Sequence, residues 1–337
     1  MTKKNHQEKW INKYIEEEVL GQIANNFAQT GIFDPFSAKM PDTSVKFRNM
    51  LEKVDDNQVI YRFFPYNRFV SLIDEKKIAF ISPLKYDDDE KEAECFDEYK
   101  NYIYKQLIQM YDAGMLNFEQ AGIHKTGDKY IDLMNVSARW QKIYEYCRRN
   151  VFVSCWTFNS LASIYMWDVY TKNAPDAVAI KTTVGSLKRS ILNTGHGTHT
   201  LDRVKYIDWQ NESVSFLGAN SVGTLDSLVY SLMHKQKRFE QDNELRIIID
   251  NLTCNTTPWV QRNINTILGD KDFDYDQYFH EENYPTAFLK ETVDLNVLIN
   301  EICLSPYIND ESLKKIQEKL LSAQLQDKVL CKYGESV

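Results

Sequence analysis

The sequence predicts an α+β fold, in which strands and helices follow one another without a regular alternation. Strand candidates rich in β-branched and aromatic residues are separated by helical segments of very different lengths. Several strand candidates lie close together in the chain, which favours a mixed sheet over a doubly wound parallel sheet. The 337 residues include only 12 Gly and 8 Pro, so we expect no long flexible linkers.

An N-terminal helical extension is predicted for residues 1–57. Apolar residues recur at nearly helical spacing from Trp10 to Phe27, and Gly31 and Pro35 follow where this helix is expected to end. Residues 58–337 are predicted to form one domain with a helical insertion at about residues 91–150, where two apolar helix faces can be traced.

The elements of the main domain are expected in the following order. Strands are predicted at residues 59–64, 78–82, 151–156, 176–181, 204–209, 244–249, 299–304 and 329–333. Helices are predicted at residues 68–76, 161–170, 186–192, 224–233 and 311–325. Pro65 and Pro83 end the first two strands, and Asn309 or Asp310 is available to cap the last helix.

Composition excludes several classes of protein. The net charge of −8 argues against a generally basic nucleic-acid-binding surface, although it leaves room for a local basic patch. We find no apolar run long enough to span a membrane and no apolar signal core at the N-terminus, so we expect a cytoplasmic protein without a membrane partner. The six cysteines form no C-x-x-C pair, which favours reduced, buried thiols over a zinc site or a disulfide framework.

Six short motifs occur in a fixed order along the main domain. They are Tyr61-Arg62-Phe63, Phe80-Ile81-Ser82-Pro83, Asp87-Asp88-Asp89, Met166-Trp167-Asp168-Val169-Tyr170, Ala177-Val178-Ala179-Ile180-Lys181, and the segment from Lys235 to Arg246. Together with the stretch Ile302–Pro306, they resemble the bacterial family catalogued as domain of unknown function 2971 over about residues 58–335. The chain departs from the family pattern at Asp89, Phe239, Asp242 and Asp176-Ala177, where the family usually carries Pro, Trp, Glu and Gly.

The order of these motifs is also similar to that of ADP-ribosyltransferases, which hold NAD in a cleft between two small sheets. This resemblance implies a split β-sheet core. It also implies that NAD is a substrate, from which ADP-ribose is transferred. It further implies a catalytic set of Arg62 on the first strand, Tyr170 in the middle of the chain and Glu244 on a late strand. Glu244 is the expected catalytic acid.

The alternation of a strand places Glu244 and Arg246 on one face. A carboxylate on this face would stabilise the positive charge that develops on the ribose, and Arg246 would hold a neighbouring phosphate. A surface ion pair on a half-exposed strand is the competing interpretation. Arg62 suits a phosphate or ribose through its fixed fork of donors, or it is an edge-strand arginine with a solvated head group.

The resemblance also implies a set of NAD-binding residues, which comprises Tyr61, Arg62, Ser82, Trp167, Tyr170, Lys235 and Arg246. Trp167 and Tyr170 are three residues apart on a helix, so they would stack on nicotinamide together or would both be core residues. Ser82 would bind the ligand or cap the turn before Pro83. Lys235 would attract the pyrophosphate, whereas Lys237 and Arg238 are expected to be solvated.

Metal chemistry is a weaker interpretation of the sequence. The acidic run Asp87–Glu90 has the composition of a hard-cation site, but such runs are more often solvated loops. His196 and His199 have no H-E-x-x-H helix around them and are expected to lie in a surface loop. The sequence contains no Walker loop, no nucleophile elbow and no G-x-G-x-x-G turn.

The expected function is therefore an NAD-dependent ADP-ribosyltransferase. The resemblance suggests a bacterial toxin or anti-phage effector that modifies a protein or nucleic-acid acceptor and that has an antitoxin or defence-system partner. Two alternatives remain open at this point. A metal-dependent nuclease would use the acidic run and Glu244 to bind Mg²⁺, and a non-catalytic module would bind a nucleotide without turnover.

Overall fold

A computed structural model of the chain shows the arrangement of most of these elements. It describes residues 47–49, 51, 53–85, 97–114, 116, 118, 124–160, 163–192, 199–208, 212, 224–250 and 288–331. The predicted helix near the N-terminus and the acidic run Asp87–Glu90 lie outside these residues.

The described strands and helices have the following bounds. The strands are β1 (Phe47–Arg48), β2 (Val59–Phe64), β3 (Lys77–Ile81), β4 (Val151–Thr157), β5 (Val178–Thr183), β6 (His199–Arg203), β7 (Lys205–Ile207), β8 (His234–Gln236), β9 (Glu244–Asp250), β10 (Phe288–Thr292), β11 (Glu301–Leu304) and β12 (Val329–Cys331). The helices are α1 (Tyr66–Glu75), α2 (Asp97–Asp112), α3 (Lys129–Arg149), α4 (Ile164–Thr171), α5 (Val184–Ser190), α6 (Thr224–Leu232), α7 (Leu295–Leu298) and α8 (Asp310–Ser322). Two 3₁₀ turns span Pro83–Lys85 and Lys237–Asp242.

Ten of the described strands form one large mixed sheet. Its main path runs β1-β6-β9-β4-β2-β5-β11-β12, and β3 joins β4 on one side and β10 on the other. The β1–β6 and β11–β12 pairs are parallel, and the other pairs of this sheet are antiparallel. The mixed composition of helices and strands agrees with the predicted fold class, while the relation to ADP-ribosyltransferases stays a prediction.

The sheet forks where β2 and β3 both meet β4. β2 pairs with β4 at Tyr61 and Thr157, whereas β3 pairs with β4 at Ile81 and Val153. β2 and β3 therefore diverge from the same strand and leave a gap between them. Arg62 spans this gap, because one of its guanidinium nitrogens donates to Ser154 Oγ on β4 at 2.7 Å and the other to the Ala79 carbonyl on β3 at 3.3 Å.

Both faces of the sheet are covered by apolar side chains. The larger cluster packs against one face, and α1, α5, α7 and α8 each contribute buried residues to it. The smaller cluster covers the opposite face, and α4 supplies two of its members, Met166 and Trp167. Neighbouring residues of β2 belong to different clusters, Phe63 to the smaller and Phe64 to the larger, as the alternation of a strand requires.

Helices α2 and α3 lie in the segment where the sequence predicts a helical insertion. The side chain of the fully buried Asp132 joins them, since it accepts hydrogen bonds from Tyr111 Oη at 3.2 Å and from the Thr126 backbone at 2.7 Å. Burial opposes ionisation, but the bonds from Thr126 and Tyr111 lower the pKa of Asp132 below its ordinary value. Among the helices that the structure describes, none is long and apolar enough to cross a membrane.

Three strands differ from the sequence predictions. β1 lies within the predicted helical extension and pairs with β6, so this part of the segment belongs to the sheet. β6 begins at His199, which is 1% exposed, so the predicted surface loop around this histidine is wrong. The sequence does not predict β10, which pairs with the edge of β3 opposite to β4.

Candidate functional site

The segment from β8 to the start of β9 forms a compact turn that brings charged side chains together. Lys235 lies in β8, the 3₁₀ turn Lys237–Asp242 follows, and Glu244 is the first residue of β9. Asn243 makes the reversal between turn and strand with a φ of 46°, a left-handed conformation that asparagine tolerates better than most residues. The chain thus folds back so that Lys235 faces Glu244.

Four charged side chains of this segment form a buried ion-pair network. Lys235 Nζ lies 2.8 Å from both Asp242 Oδ2 and Glu244 Oε1, and Arg246 Nε lies 2.9 Å from Glu244 Oε2. Arg246 also donates through Nη1 to the Leu232 carbonyl at 2.6 Å. Their exposed fractions are 8% for Lys235, 3% for Asp242, 3% for Glu244 and 1% for Arg246. The competing interpretation of a surface ion pair is therefore wrong.

Aromatic residues from α4, β7 and the 3₁₀ turn itself enclose this network. Tyr165 Oη donates to Asp242 Oδ1 at 2.7 Å, and the Glu244 backbone N–H donates to Tyr206 Oη at 2.8 Å. The Phe239 ring lies 4.5 Å from Lys235 Nζ, within the range of a cation–π contact. These contacts hold the charged groups in place and exclude water from one side of them.

The network keeps Glu244 and Lys235 charged at neutral pH. Burial opposes ionisation of Glu244, but the adjacent Arg246 and Lys235 lower the pKa of its carboxyl group below the ordinary value. Burial likewise disfavours the ammonium of Lys235, yet the charge of Glu244 raises the pKa of Lys235. Glu244 is therefore present as a carboxylate, which accepts hydrogen bonds and stabilises positive charge but does not donate a proton.

One side of this network opens into a cavity, here called the first cavity, of about 230 Å³. Its lining residues are Tyr61, Arg62, Phe63, Phe64, Arg68, Ile81, Val153, Cys155, Trp156, Thr157, Met166, Tyr170, Lys235, Glu244 and Arg246. Glu244 is the sole carboxylate among them. The cavity follows the fork of the sheet, since β2, β4 and β9 all contribute to its walls.

Six of the eight predicted site residues meet at this cavity. Arg62, Tyr170 and Glu244, the predicted catalytic set, all line it, and so do Tyr61, Lys235 and Arg246. Desolvation of the Tyr170 hydroxyl and the nearby charge of Glu244 raise the pKa of Tyr170, although the residue as a whole is 36% exposed. The hydroxyl is therefore neutral and can donate a hydrogen bond.

The structure places the other two predicted ligands elsewhere. Trp167 is 0% exposed and does not line the cavity, because it packs edge-on against Phe63 at 4.8 Å in the smaller cluster. Ser82 is buried, and its Oγ accepts from the Leu84 backbone N–H at 3.4 Å, so it caps the turn after β3. In both cases the structure agrees with the alternative interpretation of the sequence.

Several residues of the site carried no recognisable sequence signal. Asp242 completes the ion-pair network, whereas in the sequence it stands out only as a departure from the family pattern. Arg68 and Cys155 line the cavity from α1 and β4. Two acidic residues, Asp242 and Glu244, follow Lys235 closely in the sequence. This spacing indicates that both carboxylates contact Lys235 only when the turn at Asn243 is known.

The chemistry available to the cavity follows from this arrangement. It offers one ionised carboxylate, several cations and a neutral phenol beside aromatic surfaces, a set suited to a ligand with hydroxyl groups, phosphates and a flat ring.

No protein-family model matches the chain, and searches of curated proteins and of solved structures give no match either. The side chains of the first cavity are therefore the basis on which its function is inferred.

Proposed function

We propose that this chain is an NAD-dependent ADP-ribosyltransferase whose reaction takes place in the first cavity. The observation that carries the proposal is the Glu244 carboxylate, which is 3% exposed, ionised and directed by two cations toward a cavity lined by aromatic and cationic residues. A carboxylate has about four lone-pair sites, so two ion-pair contacts leave capacity for hydroxyl groups of a ribose.

The reaction breaks the bond between nicotinamide nitrogen and the ribose C1′ atom. Nicotinamide leaves with the electron pair of that bond, and positive charge develops on the ribose as in glycoside hydrolysis. Glu244 accepts hydrogen bonds from the ribose hydroxyls and stabilises this charge electrostatically. A nucleophile of the acceptor then bonds to C1′ and loses its proton to water.

The remaining residues of the first cavity position the dinucleotide. Arg62 and Arg68 offer guanidinium groups suited to the two phosphates, since planar forks match phosphate oxygens. The neutral hydroxyl of Tyr170 can donate to the nicotinamide carboxamide or to a ribose oxygen. Trp156 and Tyr61 provide ring surfaces on which a base or nicotinamide can stack.

The lining of the cavity favours this proposal over a metal-dependent nuclease. A two-metal site needs several carboxylates, whereas Glu244 is the one carboxylate among the described residues that line the first cavity. Both of its oxygens contact cationic side chains, Lys235 and Arg246, which would repel Mg²⁺. Following the resemblance in the sequence, we propose a toxin or anti-phage effector that modifies a macromolecule, with an antitoxin or defence-system protein as its regulator.

Nicotinamide release from NAD by purified protein tests the proposal. Glu244→Gln should reduce release by on the order of 100-fold or more, because an amide does not stabilise the positive charge of the ribose. Asp242→Asn is the matched control, since it removes one charge from the same buried network but not from the cavity. This variant should retain measurable release.

Folding of both variants is checked by near-UV circular dichroism before activity is compared. Equal release by wild type and a folded Glu244→Gln variant contradicts the proposal. So does loss of release on addition of EDTA, which would indicate metal chemistry instead.

A further inference from the structure

A second cavity of about 380 Å³ adjoins the first. Its lining residues are Arg62, Phe64, Arg68, Ser71, Leu72, Lys77, Ile78, Ala79, Ile81, Lys85, Phe288 and Lys290. Both cavities include Arg62, Phe64, Arg68 and Ile81, so a ligand in one is adjacent to a ligand in the other.

The second cavity is strongly basic in a chain whose net charge is −8. Five of its lining residues are lysine or arginine and none is acidic. Lys290 pairs with Glu75, which lies outside the lining. Within the described residues, no salt bridge involves Arg68, Lys77 or Lys85. Positive charge that is not neutralised by neighbouring carboxylates attracts phosphate groups.

The cations divide into two sets by the cavity that they line. Arg62 and Arg68 line both cavities and suffice for the two phosphates of a dinucleotide in the first. Lys77, Lys85 and Lys290 line the second cavity alone, so they are in excess of what that dinucleotide requires. The charge of Lys77 and Lys85, which form no salt bridge within the described residues, is available for a second ligand that carries several phosphates, whereas Glu75 partly neutralises Lys290.

An aromatic ring lies beside these lysines. Phe288 begins β10, is 46% exposed and lines the second cavity, and Lys290 follows it on the same strand. Lys290 Nζ lies 5.4 Å from the Phe288 ring. A basic groove with an accessible aromatic ring is the combination that binds single-stranded nucleic acid, because bases stack on the ring and phosphates contact the cations.

We propose that the second cavity binds single-stranded nucleic acid and that this strand is the acceptor of the ADP-ribosyl group. The inference rests on the proposed function, because it needs a reactive C1′ atom in the first cavity. A nitrogen or oxygen of an unpaired base or end bonds to C1′, nicotinamide leaves with the electron pair, and the proton of the acceptor passes to water. An unpaired strand is required because Glu244 is 3% exposed, so the reacting group must enter the cavity rather than remain in a duplex.

Fluorescence anisotropy with a labelled single-stranded oligonucleotide, measured without NAD, tests the binding site. Lys77→Ala/Lys85→Ala should weaken binding on the order of 10-fold and reduce the salt dependence of log Kd by about 1.4, the value for two lost phosphate contacts on a single strand. Lys105→Ala/Lys314→Ala is the matched control, because it removes two exposed lysines that line neither cavity. It should leave binding unchanged.

The following outcomes decide the inference. Weaker oligonucleotide binding by Lys77→Ala/Lys85→Ala, with unchanged NAD affinity, supports it. Wild-type transfer of label from NAD to the oligonucleotide also supports it, if this transfer is reduced in the same variant. Absence of oligonucleotide binding by wild type overturns it. Weaker NAD binding with unchanged oligonucleotide binding also overturns it, because the lysines then serve the dinucleotide. Strong lysine-dependent binding without any nicotinamide release supports the binding site and rejects the proposed transferase function alone.

Discussion

Replacing Lys235 with Met removes the cation that joins Asp242 to Glu244 and retains much of the side-chain length. Breaking a buried ion pair by removing one partner costs about 3–5 kcal/mol, because the remaining charge stays buried without compensation. Two features of the structure place this variant near the lower end of that range. Glu244 keeps its contact with Arg246 at 2.9 Å, and Asp242 keeps the hydrogen bond from Tyr165 at 2.7 Å. We expect a loss of about 3 kcal/mol at pH 7.

The loss should depend on pH in a defined direction. The pKa of Glu244 is lowered in the folded protein, so its charge stabilises the fold above the unfolded pKa of about 4.3. This stabilisation disappears as the pH falls through the lower folded pKa. Lys235 is one source of the shift, so the difference between wild type and Lys235→Met should be complete at pH 7 and shrink below about pH 4.

Urea unfolding at pH 7 and at acidic pH measures both effects. Lys237→Met is the control, because Lys237 is exposed two residues away and should change stability by less than about 0.5 kcal/mol. If Lys235→Met lowers the free energy of unfolding at pH 7 by no more than this control does, the buried ion pairs of Lys235 do not stabilise the fold. A loss of equal size at both pH values would show that packing of the side chain, rather than its charge, is responsible.

Two further predictions concern residues near the first cavity. Trp167→Ala should reduce the free energy of unfolding in urea by about 3–5 kcal/mol, because it leaves a void beside Phe63. Val169→Ala on the same helix, at a position 50% exposed, is the control and should change it by less than about 0.5 kcal/mol. Similar values for the two variants would contradict the core position of Trp167. NAD should slow alkylation of Cys155, which lines the cavity, but should leave that of the buried Cys303 unchanged when peptides are quantified by mass spectrometry. Unprotected Cys155 at saturating NAD would argue that the dinucleotide binds elsewhere.

The sequence predicted most elements of the sheet because their own composition favours strands. β2, β4 and β9 are rich in β-branched and aromatic residues, and their observed bounds agree with the predicted ones to within a residue. β6 has the polar sequence His-Thr-Leu-Asp-Arg, so its strand conformation depends on pairing with the apolar β9. Such pairing between distant segments leaves no local signal.

The candidate site was predictable as a set of residues but not as a geometry. Alternation along β9 correctly placed Glu244 and Arg246 together, yet period-two spacing does not distinguish a surface pair from a buried one. Helical spacing correctly put Trp167 and Tyr170 on neighbouring positions of α4. It did not separate Trp167, which faces the sheet, from Tyr170, which is 36% exposed at the cavity. The fork and the second cavity depend on strand register, which single-sequence patterns do not specify.

Under the proposed function, the order of the strands in the chain also determines when the protein can become active during its synthesis. β2, with Arg62, leaves the ribosome early, but its partners β4 and β5 follow only at residues 151–157 and 178–183. Glu244 comes later still, on β9, which lies between β4 and β6 in the finished sheet. Contacts between such distant segments form slowly and only after the later segment exists. A nascent or prematurely terminated chain that ends before β9 therefore lacks both Glu244 and the strand that joins β6 to β4. Under the proposed function, fragments that end before β9 would therefore not expose a host cell to transferase activity.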